Sequence, residues 1–197
     1  MKILAVADRV TPALLEPVHG GPCFTDIDLI ISCGDLPPEY LTSLKARFDL
    51  PLLYVLGNHD LRYRTSPPRG CQCIDRQIVS SHGLRILGFS GSRWYNGNIN
   101  QYTEQEMATF IRRLRLPLWL SGGIDLVITH APPRHIHDAE DRCHKGFKNF
   151  CSLIDRYRPP YFIHGHIHTF FTHDSERITT VNSTQVINSY GYYTLEI

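Results

Sequence analysis

The sequence predicts an α/β domain in which the central strands run parallel. Apolar runs of strand length recur along the chain, and several are continuously apolar, which is typical of strands covered on both faces. Segments with helical spacing lie between these runs, and a strand followed by a helix, repeated, favours a parallel sheet with helices packed on it. The 197 residues are enough for one domain with a sizeable core, so we expect a single domain over residues 1–197.

Seven strands are predicted from the apolar runs. They cover residues 3–7, 29–32, 52–56, 84–89, 126–129, 161–163 and 192–197. From residue 177 onward the chain consists of short β-rich pieces separated by Asn and Ser. We expect this tail to form a mostly antiparallel sheet or half-sheet that closes the fold.

Three helices are predicted between the strands. Residues 38–48 begin with a proline, which is favourable at the first position of a helix. Thr103 and Glu106 form a capping box ahead of an apolar stripe that begins at Met107. Residues 147–157 place their apolar side chains on one stripe and are followed by Pro159, which ends the helix.

Composition and charge exclude several classes of function. The net charge is +1, so no general field favours nucleic acid or an anionic membrane, and the short basic runs are typical of solvated faces. No apolar segment approaches the roughly 18–20 residues that span a bilayer. Asp8 comes too early for an N-terminal signal peptide. We therefore expect a cytoplasmic protein whose six cysteines are reduced thiols: Cys23, Cys33, Cys71, Cys73, Cys143 and Cys151.

Side chains that bind metals follow five of the predicted strands. They are Asp8, then Asp35 after Gly34, then Asn58, His59 and Asp60 after Gly57, then His130, and finally His164, His166 and His168 around Gly165. A single polar residue after a strand is usually a turn residue or a cap. Five coincidences favour one site instead, because strand ends converge at the C-terminal edge of an open α/β sheet.

The ligand types indicate the class of metal. Two Asp, one Asn and three His side chains suit Mn, Fe, Zn, Ni or Co, whereas a structural zinc site would favour Cys. The set is larger than one ion needs. A carboxylate shared by two ions about 3.5–4 Å apart would use it economically, and such pairs clamp both oxygens in phosphoryl displacement.

These residues, in this order, resemble the calcineurin-like metallophosphoesterase superfamily from residue 3 to about 170; the most specific signals are "GNHD" at 57–60 and "GHIH" at 165–168. The resemblance implies a four-layer α-β-β-α sandwich with two mixed β-sheets and two divalent metal ions at the strand ends. It also implies a role for each ligand. Asp35 would bridge the ions, Asn58, His130 and His166 would complete the second site, and Asp8 and His168 would hold the first. His59 would contact the phosphate or the leaving group, and Asp60 would orient His59.

The sequence departs from the superfamily pattern at Val10. The superfamily usually has a histidine two residues after the first Asp, and valine cannot bind a metal, so we expect the first metal to be held weakly. His144 or Cys143, in a later loop, are candidates to replace the missing ligand. Arg9 either leans toward a bound phosphate as a bidentate donor or is a surface arginine after a strand.

The resemblance and the residues together predict a hydrolase. We expect metal-activated water to attack a phosphate mono- or diester, as in a phosphodiesterase or phosphatase, with manganese among the candidate metals. His59 would steady or protonate the leaving oxygen, which typically contributes about 10²–10⁴-fold. The substrate is expected to be a small phosphate ester, bound with help from Arg9, Arg93 or His144. The loop at 90–102, with Arg93, Trp94 and Tyr95, suits a nucleotide or aromatic ester, or only packs down.

The alternative function is a protein-interaction scaffold that keeps this fold with a degenerate site. The missing ligand at Val10 favours the scaffold slightly, whereas His59 and the intact ligand set for the second metal favour the enzyme.

Overall fold

The computed structural model describes residues 1–16 and 24–197, so Cys23 lies outside the described residues. The strands of the described part are β1 Lys2–Ala7, β2 Leu29–Ser32, β3 Leu52–Tyr54, β4 Gln72–Cys73, β5 Ile78–Ser81, β6 Leu84–Phe89, β7 Ser92–Arg93, β8 Gln101–Tyr102, β9 Leu126–Thr129, β10 Tyr161–His164, β11 Ile178–Val181, β12 Thr184–Asn188 and β13 Gly191–Glu196. The α-helices are α1 Pro38–Phe48, α2 Glu104–Arg113, α3 Arg115–Leu120 and α4 Lys148–Tyr157.

Two mixed sheets form the centre of the fold. The first has the strand order β13-β1-β2-β3-β4, in which β1 to β4 run parallel and β13 is antiparallel to β1. The second has the order β11-β12-β10-β9-β6-β5, with parallel central strands and antiparallel edges. The short strands β7 and β8 pair separately. The predicted parallel centre is therefore confirmed in both sheets.

The buried side chains form three clusters, one between the two sheets and one on the outer face of each sheet. On β2, Leu29 and Ile31 pack into the cluster between the sheets, while Ile30 packs on the outer face with Leu41 and Leu44 of α1. The outer face of the second sheet packs against α2, α3 and α4. Because side chains alternate along a strand, a strand covered on both faces must be apolar throughout. The four-layer α-β-β-α sandwich is confirmed.

Several elements differ from the sequence prediction. Helix α1 has the predicted bounds, and the capping box at Thr103 and Glu106 is present. The third strand ends at Tyr54 instead of residue 56. Helix α3 and strand β5 were not predicted, because neither has a clear periodic pattern over its short length.

The tail strands pair mostly antiparallel, as expected, but they divide between the two sheets and do not form one of their own. β11 pairs antiparallel with β12, but β12 runs parallel to β10 in the second sheet. β13 instead joins the first sheet beside β1. The sequence pattern marks these segments as strands, but it does not specify which sheet offers the free edge.

None of the helices in residues 1–16 and 24–197 combines the length and the apolar character needed to cross a membrane.

Phe150→Ala is expected to lower the free energy of unfolding by about 3–5 kcal/mol, because a fully buried phenylalanine leaves a cavity. Phe150 is 1% exposed, and its ring lies 5.0–5.8 Å from those of Phe89, Phe147 and Phe162. Urea denaturation measures the change. Leu120→Ala is the control: this side chain is 68% exposed, and its loss should change stability by less than about 0.5 kcal/mol. A loss below about 1 kcal/mol for Phe150→Ala would contradict the assigned core.

Candidate metal centre

The ends of strands from both sheets meet at one edge of the sandwich. Asp8 directly follows β1, and Asp35 lies three residues after β2. Asn58 comes shortly after β3, His130 directly after β9, and His166 two residues after β10. The parallel pairing of β1, β2 and β3, and of β9 and β10, brings these ends together, as expected for a site at the C-terminal edge of such sheets.

Three of the predicted ligands have left-handed backbone conformations. The φ angles are 62° at Asp8, 54° at Asp35 and 68° at His166. This region is uncommon for residues other than glycine, and such residues cluster at functional sites where the surrounding structure holds them in place. The backbone at these positions is therefore shaped to direct side chains into the centre.

Two glycines allow the backbone to pass close to the ligands. A Cβ on Gly57 would lie 2.0 Å from Asp35 Oδ1, and a Cβ on Gly165 would lie 2.7 Å from Asp8 Oδ2. No larger residue fits at either position without displacing a carboxylate.

The second of the two predicted metal sites is assembled around Asp35 and His130. Ligand atoms of Asp35, His130 and His166 all lie within 4.8 Å of one another. His130 Nε2 is 3.4 Å from Asp35 Oδ2 and 3.0 Å from Asn58 Oδ1. The structure thus brings together the four residues predicted for this site.

The hydrogen bonds of His130 indicate what belongs between these groups. His130 Nδ1 lies 2.8 Å from the carbonyl oxygen of Cys33, an acceptor, so Nδ1 carries the proton. Nε2 then faces the oxygens of Asn58 and Asp35, which also accept. Acceptors facing one another at such distances require a proton or a cation between them, and a divalent cation fits this donor set.

The charges of the site support the same conclusion. Burial alone would lower the pKa of His130, but the charge and hydrogen bond of Asp35 raise it to about 9. Burial would raise the pKa of Asp35, yet His130 and the backbone N–H of His59 lower it to about 2. The centre therefore favours one positive charge beside the Asp35 carboxylate.

His166 is kept neutral and oriented by its neighbours. Its Nε2–H donates to the carbonyl oxygen of Cys143 over 2.7 Å, which leaves Nδ1 as the acceptor nitrogen. Burial and the charge of His130 lower the pKa of His166 to about 3. A neutral imidazole with one free acceptor nitrogen is the form that binds metals.

The first predicted metal site contains Asp8 and His168. His168 Nε2 lies 3.5 Å from Asp8 Oδ1, and the interaction with the Asp8 carboxylate raises the pKa of His168. Asp8 Oδ2 accepts the backbone N–H of His166 at 2.9 Å, whereas Asp8 Oδ1 is buried and accepts no hydrogen bond within the described residues. A buried carboxylate oxygen without a donor is what a cation would satisfy.

His59 and Asp60 act on the loop in different ways. Asp60 Oδ2 accepts the backbone N–H groups of Asp35 and Gly57, at 2.9 and 2.7 Å. Burial and the nearby charge of Asp35 raise the pKa of Asp60 to about 6. His59 donates its backbone N–H to Asp35 Oδ1 at 2.8 Å, and His59 itself is exposed. Asp60 thus holds the loop backbone at Asp35 and Gly57 and, within the described residues, makes no hydrogen bond to the His59 ring.

The residues predicted to bind substrate lie at different distances from the centre. The His144 ring is 5.2 Å from that of His166 and 6.4 Å from that of His168. Arg9 is exposed, with its guanidinium 5.9 Å from the ring centroid of Phe170. Arg93 is half-buried in β7, and its guanidinium makes no hydrogen bond to the described residues.

Cys143 and His144 also belong to a local cluster with Asp141. Ligand atoms of these three residues lie within 4.8 Å of one another. Asp141 Oδ1 accepts the backbone N–H groups of Cys143 and His144, both at 3.0 Å, which folds the loop on itself. The candidates for the missing ligand are thus close to His166 but bonded within their own loop.

Two residues outside the predicted ligand set support the site. The Tyr95 hydroxyl accepts from Asn58 Nδ2 at 3.2 Å, which fixes the Asn58 amide so that Oδ1 faces His130. Asn100 Nδ2 donates to the carbonyl oxygen of Gly57 at 3.0 Å. Tyr95 lies in a loop that the sequence singled out, whereas nothing in the sequence distinguished Asn100 from an ordinary loop residue.

Comparisons with known proteins agree with this fold. The model of the calcineurin-like phosphoesterase family matches residues 1–170. Among solved structures, TT1561 of Thermus thermophilus is 15% identical with a TM-score of 0.65, covering 96% of this chain and 89% of that one. GAP50, described as the anchor in the inner membrane complex of Plasmodium, is 12% identical with a TM-score of 0.54, covering 95% and 70%.

The calcineurin-like phosphoesterase YfkN from Bacillus subtilis is 13% identical with a TM-score of 0.48, covering 100% of this chain and 85% of that one. The comparison with curated proteins finds no match. The family match over residues 1–170, on a sandwich of the expected layers, shows that this chain belongs to the calcineurin-like phosphoesterase family.

Proposed function

We propose that this chain is a metal-dependent phosphoesterase that hydrolyses a small phosphate mono- or diester within the single domain of residues 1–197. The observation that supports this most strongly is the meeting of Asp35, Asn58 and His130 with their acceptor atoms facing one another. Such an arrangement has little value for stability, because buried acceptors without a cation or proton between them are costly.

The ligands suit two divalent ions, with manganese the first candidate to test. Asp35, Asn58, His130 and His166 would hold one, and Asp8 and His168, with Asp35 shared, would hold the other. When bound, such ions supply Lewis acidity toward phosphoryl oxygens and lower the pKa of water so that a nucleophile is available at neutral pH.

The chain's own groups would position the ester and handle the leaving group. His59 lines a cavity of about 250 Å³ together with Asp35, Asp60 and Arg62. A phosphate ester held by metal ions beside Asp35 would lie next to this cavity, which the exposed His59 also lines. His59 would then give a proton to the leaving oxygen, and Asp60 would keep the loop that holds His59 in place.

The thiols support a reducing compartment. Cys33, Cys71, Cys73, Cys143 and Cys151 are all free. Reduced cysteines are the usual state in the cytosol, and we propose a cytoplasmic location for the protein.

Asn58→Ala is expected to lower hydrolysis by about 10²–10³-fold, the usual cost of removing one preorganised group from a catalytic centre. The measurement is the release of nitrophenolate from bis(4-nitrophenyl) phosphate and from 4-nitrophenyl phosphate, with Mn²⁺, Fe²⁺, Zn²⁺, Ni²⁺ or Co²⁺ added. Asn98→Ala is the matched control, since Asn98 is an exposed residue whose side chain could be removed without touching the centre. No turnover with any metal, or equal rates in wild type and Asn58→Ala, would overturn the enzyme assignment.

A protein-interaction scaffold is the second candidate. It is favoured by Val10, which removes one usual ligand, and by the fold shared with GAP50, which is described as an anchor. A scaffold would bind metal weakly and release no product, so the same assay separates the two functions.

Val10→His is expected to strengthen the first metal site. The substitution returns a nitrogen ligand to the position where the superfamily usually has one, and we expect manganese affinity there to rise about 10–100-fold, comparable to the effect of supporting groups around metal sites. Elemental analysis after gel filtration, with manganese titrations, measures the change. Val10→Leu adds bulk without a nitrogen and should bind as wild type. Equal manganese content in Val10→His and Val10→Leu would show that residue 10 does not face the metal.

A further inference from the structure

A cavity of about 330 Å³ adjoins the first metal site. Part of its wall comes from the residues that directly follow two predicted ligands: Arg9 and Val10 follow Asp8, and Thr169 and Phe170 follow His168. Tyr190 also lines the cavity, and its ring stacks on that of His168 at 5.0 Å with an interplanar angle of 28°. The cavity therefore lies next to Asp8 and His168, and Tyr190 connects its wall to the His168 ring.

The aromatic groups of this cavity are presented to solvent. Phe170 is 79% exposed, and its ring is perpendicular to that of Tyr190 at a centroid distance of 6.0 Å. A large exposed ring at the mouth of a cavity offers a face on which a planar group can stack. Val10 adds an apolar wall at the position where the superfamily usually has a metal ligand.

The two arginines of the cavity differ in what they contact. Arg177 donates to the carbonyl oxygens of Asn188 and Tyr190, and its guanidinium lies 4.4 Å from the ring centroid of Phe171. Arg177 is therefore part of the wall. The Arg9 guanidinium makes no hydrogen bond to the described residues and lies over the Phe170 ring, at 5.9 Å from its centroid. Arg9 is thus the cation placed to meet an anionic ligand whose ring stacks on Phe170.

We propose that this cavity binds the aromatic group of the substrate, so that the substrate class is a phosphate ester bearing an aryl ring or nucleobase. The inference rests on the proposed function for the phosphate part, which the metal site would hold, while the ring lies on Phe170 and Arg9 pairs with the phosphate oxygens. The volume lies at the lower end of the roughly 300–1,000 Å³ typical of small-molecule sites, which is room for one ring system. The chain's net charge of +1 gives no excess of cations for binding the phosphates of a nucleic-acid strand.

Calorimetric titration with phosphonates tests the proposal without turnover, because their carbon–phosphorus bond is not hydrolysed. Phenylphosphonate and methylphosphonate share the anionic group and differ in the ring. In the full chain with Mn²⁺, we expect phenylphosphonate to bind about tenfold more tightly, within the range found for stacking on one aromatic side chain. Phe170→Ala should abolish this preference, and Arg9→Gln should weaken both probes. Trp119→Ala, at a similarly exposed ring on α3, should leave it unchanged.

The outcomes separate this inference from the proposed function. Equal affinity for the two probes in wild type, no binding of either, or a preference that survives Phe170→Ala would overturn the aromatic site. If nitrophenyl esters are not hydrolysed but the ring preference is present, the catalytic proposal fails and the cavity assignment stands. If the esters are hydrolysed without any ring preference, only the cavity assignment fails.

Discussion

Asp35→Asn is expected to reduce phosphate-ester hydrolysis by at least about 10²–10³-fold and to lower metal affinity with it. Asp35 is the predicted bridge between the two ions, and its carboxylate is the negative charge next to His130. Removing that charge weakens both sites together. It should also lower the pKa of His130, because Asp35 is what raises it against the effect of burial.

The substitution is suited to this position because it changes charge and little else. Asp35 has a φ of 54°, and asparagine tolerates the left-handed region about as well as aspartate. In the wild type, the backbone N–H of His59 donates to Asp35 Oδ1. The side-chain oxygen of an asparagine can accept the same hydrogen bond. A loss of activity in Asp35→Asn would therefore report on the charge and not on a rearranged loop.

Asp49→Asn is the matched control for this measurement. Asp49 also has a left-handed φ, of 51°, but its side chain is 96% exposed and, among the described residues, pairs only with Lys45 at the end of α1. Nitrophenolate release and manganese titration should be unchanged in this variant. Full activity in Asp35→Asn, or an equal loss in both variants, would contradict the role given to Asp35.

The candidate ligands were predictable from sequence because each lies within a few residues of the end of an apolar strand. Strand ends are visible as the point where a continuous apolar run stops, and parallel strands deliver their ends to one edge. The apolar runs and this rule together predict that Asp8, Asp35, Asn58 and His130 lie at one edge. Local sequence patterns and the rule that parallel strands end at one edge of a sheet are sufficient for this prediction.

The supporting contacts were not predictable in the same way. Tyr95 and Asn100 reach the centre from a long loop, and their positions depend on how that loop packs, which no periodic pattern encodes. The Cys33 carbonyl that orients His130 is a backbone group, so no side-chain signal marks it. The contacts of Asp60 were not predictable for the same reason: its partners are the backbone amides of Asp35 and Gly57.

The segment from residue 177 onward shows that strands can be predicted from sequence more readily than their pairing partners. The alternating pattern identified β-rich segments correctly, but the partner of each strand is set by which sheet edge is free and by the length of the preceding loop. β12 extends the parallel part of the second sheet, and β13 crosses to the first.

Gly57→Ala is expected to destabilise the protein by at least about 1–3 kcal/mol, the usual cost of overpacking, and to abolish hydrolysis. The added Cβ would lie 2.0 Å from Asp35 Oδ1 and 2.6 Å from the backbone nitrogen of Asp35. The carboxylate can move only by leaving the centre, and the backbone nitrogen is held by its hydrogen bond to Asp60. Urea denaturation and nitrophenolate release measure the two effects.

Gly83→Ala separates crowding from backbone strain. Gly83 has a φ of 80°, and no atom of the residues that the structure describes, apart from its own neighbours in the chain, lies within 4 Å of its added Cβ, so this variant bears a conformational cost of about 1 kcal/mol without a clash. It should keep full activity, since its turn between β5 and β6 lies outside the predicted ligand set. Gly57→Ala, by contrast, forces apart Asp35 and the loop that presents Asn58, so the geometry needed to hold a cation is lost even where the chain still folds. If Gly57→Ala keeps its manganese affinity, the close approach of these two strand ends is not what builds the site.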